Sequence, residues 1–137
     1  MEKYCEAKAL LIPLRPTLQD TARFPHKIGE YLASGNPIIT TNYGEVKHHF
    51  RQGETAFIAE EYKVAAYAEQ MQLILNQPEM AKAVGKKGKE YGLAQFDCTV
   101  HGMRMLTFFQ ELSGEPCEHF DEDRNNPKEP ELLAKSV

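Results

Sequence analysis

A chain of 137 residues, 42% hydrophobic and 26% charged, can build one buried core but not two full domains, because single cores form at about 100–200 residues. It holds no apolar run near the roughly 18–20 residues that span a bilayer, and Met1 to Lys8, with two Glu and two Lys, lacks the apolar stretch of a signal peptide, so a cytoplasmic protein is expected. The net charge of −4 sits wholly after Gly114, where seven acids meet three bases and leave residues 1–113 neutral; a neutral body argues against the basic face of a nucleic-acid-binding domain.

Ala9-Leu10-Leu11-Ile12 is a continuous apolar run closed by Pro13, which suits a strand buried on both faces. Leu14 to Arg23, with Pro16, Thr17, Asp20 and Thr21, reads as a loop. Phe24 to Ser34 reads as a helix, with Pro25 tolerated in the first turn, Gly35 as its cap and Pro37 preventing continuation. Pro37 to Thr41 is a β-branched strand, Asn42-Tyr43-Gly44 a turn, Glu45 to Phe50 a helical turn, and Thr55 to Ala59 a third strand. Glu61 to Asn76 is an amphipathic helix with Val64, Ala68, Met71 and Leu75 as its inward stripe, widened by Ile74. Pro78 to Leu93 is a further helix, with Met80, Ala83 and Val84 inward and Lys86, Lys87 and Lys89 outward. Asp97 caps a last helix through Leu112. The acidic, aperiodic tail from residue 114 to 137 is expected to be disordered.

Strands alternating with helices indicate an α/β fold with a parallel sheet. Only three strands are visible, and the chain begins almost directly with a buried one. The expected architecture is therefore a partial Rossmann-like domain over residues 1–113, whose first half is absent. Three scattered cysteines, Cys5, Cys98 and Cys117, with no Cys-x-x-Cys pair, point to free thiols in a reducing compartment.

The stretch that carries chemistry is Arg23 to Ile39. At about 100° per residue, Ile28, Tyr31 and Leu32 face a core, whereas His26, Lys27 and Glu30 share the other side. Gly29 and Ala33 are small and lie beside them. A helix N-terminus suits a pyrophosphate, and Lys27 adds a mobile cation. Glu30, one turn deeper, is an acceptor fit for two adjacent ribose hydroxyls. Taken singly, Lys27 and Glu30 also fit an ordinary surface pair worth about 0.2–0.5 kcal/mol.

The run Pro25-x-Lys27-x-x-Glu30-Tyr31-Leu32-Ala33-x-Gly35-x-Pro37-Ile38-Ile39 resembles the signature of group 1, GT-B-fold glycosyltransferases. The strand ending in Pro13, Tyr43-Gly44-Glu45 followed by Gly53, Phe57-Ile58, Asn76-Gln77-Pro78, Gly85-Lys86-Lys87-Gly88 and Phe96 are similar to the family's other segments, in order, from Tyr4 to Leu112. The resemblance implies transfer of a sugar from a nucleotide-sugar donor, a UDP- or GDP-sugar, usually with retention and without a required metal or cofactor. In such enzymes the donor sits mainly on the second of two Rossmann-like domains. The resemblance places Arg23, Phe24, Pro25, His26, Lys27 and Glu30 at the donor site, with Glu30 on the ribose. It also implies an acceptor that is often membrane-bound, and a missing N-terminal half or a partner chain. Two departures stand out. Many members carry a first glutamate eight residues before the second, where this chain has Ala22. The family's basic pair for the diphosphate precedes the first strand seen here.

Other motifs carry less. His48 and His49 diverge on a helix and cannot easily share a metal, and Cys117-x-His119 lies in the tail. Met71, Met80, Met103 and Met105 read as core filler. Lys82, Lys86, Lys87 and Lys89 fit a solvated face better than a lipid surface. The alternative to a glycosyltransferase piece is a non-catalytic α/β nucleotide-binding or interaction module derived from one.

Overall fold

The computed structural model describes residues 2–114; the acidic tail and Cys117 lie outside them. One compact unit extends to His101 and a second begins at Gly102.

In the first unit the order is α1 (Glu2–Glu6), β1 (Leu10–Ile12), α2 (Leu18–Ala22), α3 (Lys27–Ser34), β2 (Ile38–Thr41), α4 (Val46–His49), β3 (Phe57–Ala59), α5 (Val64–Asn76), α6 (Pro78–Phe96) and the start of α7 (Cys98–Ser113). The sheet is parallel in the order β1-β2-β3, with Leu10 beside Ile38 and Ile39 beside Phe57. Strand β2 is buried along its whole length. Successive side chains alternate across a sheet. Leu10, Ile12, Ile38, Ala56 and Ile58 accordingly join Ile28 and Leu32 of α3 in one core layer. Ile39 and Phe57 join Ile74, Ala81 and Val84 in the other. Thr40 and Thr41 are buried but satisfied: their hydroxyls donate to the carbonyls of Ile12 (3.1 Å) and Leu14 (2.6 Å).

Helix α6 lies against α3 through glycines. A Cβ on Gly88 would fall 2.7 Å from the Thr55 carbonyl, and one on Gly92 would fall 2.8 Å from Leu32 Cβ. Such a close approach has no room for side chains.

Several sequence expectations need correction. Helix α3 begins at Lys27, three residues later than expected, because Pro25 stays outside and its carbonyl accepts the Ile28 N–H at 3.1 Å. The expected loop from Leu14 to Arg23 contains α2, capped by the Thr17 hydroxyl, which accepts the Asp20 N–H at 3.3 Å. Leu11 is exposed, because β1 is an edge strand and its outer face is uncovered.

The stripe expected to be inward on α5 is not the buried one. Val64 is 89% exposed, Leu75 67% and Met71 37%, whereas Ile74 is buried. The Tyr67 hydroxyl donates to the Ile39 carbonyl at 3.2 Å, and burial pushes its pKa above the ordinary tyrosine value. Helix α5 thus meets the sheet through Tyr67 and Ile74. Val64, Ala68 and Met71 line an apolar hollow of about 320 Å³ with Pro13 and Tyr62. On α6, Val84 is buried but Ala83 is exposed.

The part of α7 in the second unit carries exposed Met103, Met105, Phe108, Phe109 and Leu112. Of the four methionines expected in a core, Met80 is the one that packs there. The helix follows directly on Asp97, the expected capping position, whose Oδ1 accepts the Thr99 N–H at 2.8 Å; that bond holds the carboxyl below its ordinary pKa. Among the described residues no helix is long and apolar enough to cross a membrane.

Candidate functional site

The connection β1–α3–β2 brings the N-terminus of α3 to the carboxyl end of the sheet. In open α/β sheets ligands bind at that end. The approach to the helix is fixed from both sides. After β1, the Leu14 N–H donates to Thr41 Oγ1 at 3.0 Å, so the loop leaves the sheet pinned to β2. Before α3, the Phe24 ring packs edge-on to His49 (5.3 Å) and tilted on Phe96 (5.1 Å). His49 Nδ1 lies 3.0 Å from the Tyr91 hydroxyl. Phe24, half-buried, therefore packs in an aromatic cluster just before Pro25.

On α3 itself, Ile28 and Leu32 are buried and Lys27 and Glu30 are exposed, as the helical period predicts, and His26 just before the helix is exposed too. The helix N-terminus has no side-chain cap. Nothing lies within 4 Å of where a Cβ on Gly29 would be, so the side next to Glu30 is open. Among the described residues Lys27 and Glu30 make no ion pair with each other. The carboxylate and the ammonium both face solvent next to an open helix start. That arrangement can accept from hydroxyls at Glu30 and donate to an anion at the helix tip.

Two residues of the expected loop, Arg15 and Asp20, come together at this end of the sheet. Asp20 is fully buried. Its Oδ2 accepts from the Arg15 backbone N–H and from Arg15 Nε, both at 3.0 Å, and Oδ1 lies 2.8 Å from Arg23 Nη2. The side-chain and backbone hydrogen bonds from Arg15 hold the Asp20 carboxyl below its ordinary pKa, against the opposing effect of desolvation. Thr17-x-x-Asp20 was the available signal, a capping residue followed three positions later by an acid. Its meaning depends on Arg15 folding back, which no period reveals. Among the described residues no three of His, Cys, Asp or Glu gather as a metal site.

A family model described as Glycosyl transferases group 1 matches residues 3–91. A trehalose synthase from Pyrococcus horikoshii is 31% identical over 87 residues, 64% of this chain and 20% of that protein. The solved structure of a sucrose-phosphate synthase from Thermosynechococcus elongatus superimposes with a TM-score of 0.69 at 24% identity, covering 82% of this chain and 27% of that one; at that identity the likeness carries the fold.

Proposed function

The chain belongs to the group 1 glycosyl transferases, and from that premise we propose that it holds the nucleotide portion of a nucleotide-sugar donor in glycosyl transfer. The donor is a UDP- or GDP-sugar. Its diphosphate lies at the N-terminus of α3, reached by Arg23, His26 and Lys27, and its ribose hydroxyls donate to Glu30. Cationic side chains and the helix dipole stabilise the charge that develops on the leaving nucleotide as the glycosidic bond breaks, an electrostatic task. Residues 1–113 form the donor-binding part, with the acidic residues 114–137 appended. Among the described residues Cys5 and Cys98 are free thiols.

The observation that carries this reading is exposed Glu30, without an ion pair among the described residues, one turn below a helix start that lacks a side-chain cap, beside the open space at Gly29. The test is a titration of isotope-labelled protein with UDP and GDP, followed by backbone amide shifts, with Glu30→Ala as control. Saturable shifts over residues 23–30 that the variant loses are expected. A folded protein with no shifts for either nucleotide refutes the reading for this chain.

A second reading rests on the outer edge of β1. The edge of β3 is blunted, since the Gln52 side chain accepts the Ile58 N–H. On β1, Leu10 bonds toward the Pro37 carbonyl, so the backbone groups of Leu11 face away from the sheet. Exposed Leu11 and the hollow beside Pro13, Val64 and Met71 make this a surface for another chain or for a preceding segment. Light scattering after size exclusion tests self-association there, and a clean monomer counts against it.

A further inference from the structure

We propose that Arg15 and Arg23, gripped by the buried carboxylate of Asp20, are the cationic seat of the donor diphosphate, and that Asp20 is the positioning residue that presents them. The proposal rests on the donor-site reading above and adds two residues to it.

Two guanidiniums share one carboxylate, so the cluster keeps one unit of positive charge. The division of exposure is unequal. The Asp20 side chain is 0% exposed, whereas those of Arg15 and Arg23 are 53% and 54% exposed. The negative partner is inside and the positive ones face outward. A guanidinium has five donors in a fixed fork. Asp20 takes the Nε of Arg15 and one terminal nitrogen of Arg23. Among the described residues, the terminal nitrogens of Arg15 make no hydrogen bond. Those free donors match phosphate oxygens, which arginine holds bidentately.

The burial of Asp20 is built, not incidental. The turn after β2 presses on its backbone: a Cβ on Gly44 (φ 61°) would fall 2.8 Å from the Asp20 carbonyl and 3.1 Å from that of Thr21. Asp20 Oδ1 is enclosed, makes no hydrogen bond and is left to the Arg23 charge alone. Arg15 lies three residues past β1 and Arg23 four residues before α3. Both therefore stand at the carboxyl end of the sheet, on the segment that leads into the α3 N-terminus.

The experiment uses the 137-residue chain and three classes of probe: inorganic pyrophosphate, UDP or GDP, and the matching nucleoside. Amide shifts report both binding and foldedness. Arg15→Gln and Arg23→Gln, both at half-exposed side chains, are each expected to weaken the nucleoside diphosphate and pyrophosphate about tenfold while leaving the nucleoside unchanged. Asp20→Asn gives the decisive sign. It makes the cluster more positive, so if bulk charge alone mattered it would tighten pyrophosphate binding. If Asp20 positions the arginines, it weakens it.

Unchanged or tighter pyrophosphate binding in Asp20→Asn overturns the positioning role. Unchanged binding in both arginine variants overturns the seat, even where Glu30→Ala still abolishes nucleotide binding and the donor site stands. Pyrophosphate binding that needs the arginines, with nucleotide binding indifferent to Glu30, upholds the seat and overturns the ribose assignment. No shift with any probe overturns both. If Asp20→Asn fails to fold, Arg15→Lys with Arg23→Lys takes its place: charge is kept and the fork is lost, so wild-type pyrophosphate affinity there sinks the proposal.

Discussion

The two ends of α3 are built oppositely. At its C-terminus Gly35 takes the left-handed conformation (φ 77°) and its N–H returns to the Leu32 carbonyl at 3.0 Å. The Asn36 side chain then donates to the carbonyls of Tyr4 and Cys5, and Gly85 of α6 is pressed against the backbone of residues 35–37. At its N-terminus there is no side-chain cap, Lys27 and Glu30 stay exposed, and the space beside Gly29 is empty. Orphan groups at a helix end are ordinarily satisfied. Here one end is locked by backbone contact, and that lock lets the other end go without a side-chain cap and still keep its place.

The largest effect expected from breaking the comparison is at the locked end. In Gly85→Ala the new Cβ would fall 2.9 Å from both Asn36 C and Pro37 N and closer still to the Gly35 carbonyl. These are backbone atoms and cannot swing aside. The cost is expected to reach or exceed the upper part of the about 1–3 kcal/mol that overpacking carries, a fall in Tm of about 10 °C or more for a domain of this size. A thermal melt within a degree or two of wild type would show that the approach of α6 to α3 is looser than described.

A smaller loss is expected from Gly35→Ala. Its Cβ would meet Lys89 Cδ at 3.5 Å, an ordinary contact, so the cost is conformational, about 1–2 kcal/mol for a side chain in the left-handed region. Gly35→Asn should recover part of it, because asparagine tolerates that conformation better. Chemical denaturation reads both, and equal stability of the two variants would contradict a backbone origin.

This contrast also explains what was legible in the sequence. The locked end was written in local signals. Gly35-x-Pro37 stops a helix wherever it occurs, and Ile38-Ile39 is apolar on consecutive residues because β2 is buried on both faces. Lys27 and Glu30 were legible from the helical period, which brings them to one exposed side. The start of α3 was misplaced because Pro25 serves through its carbonyl, which a first-turn rule does not distinguish. The stripe on α5 misled for a tertiary reason: Val64, Ala68 and Met71 are amphipathic by period, but they line the open hollow with Pro13 and Tyr62, while Tyr67 and Ile74 make the contact with the sheet. Arg15 and Asp20 escaped notice because their meeting depends on a turn of the loop, not on a repeat.

The smallest expected effect has the opposite sign and sharpens the comparison most. Gly29→Ala places a methyl group where nothing lies within 4 Å, on the helix that carries Ile28 and Leu32 into the core. Glycine in a helix interior costs roughly 0.5–1 kcal/mol relative to alanine, so the variant is expected to be more stable than wild type by about that amount. The same substitution is thus destabilising at Gly85 and stabilising at Gly29, because one faces backbone and the other faces space. If that space is where the donor nucleotide passes between the helix tip and Glu30, the gain in stability comes with weaker UDP or GDP binding, measured in the same sample. A stabilised variant that binds as well as wild type would mean that the opening beside Gly29 is not part of the donor path, and Glu30 would have to reach its ligand from the other side of the helix.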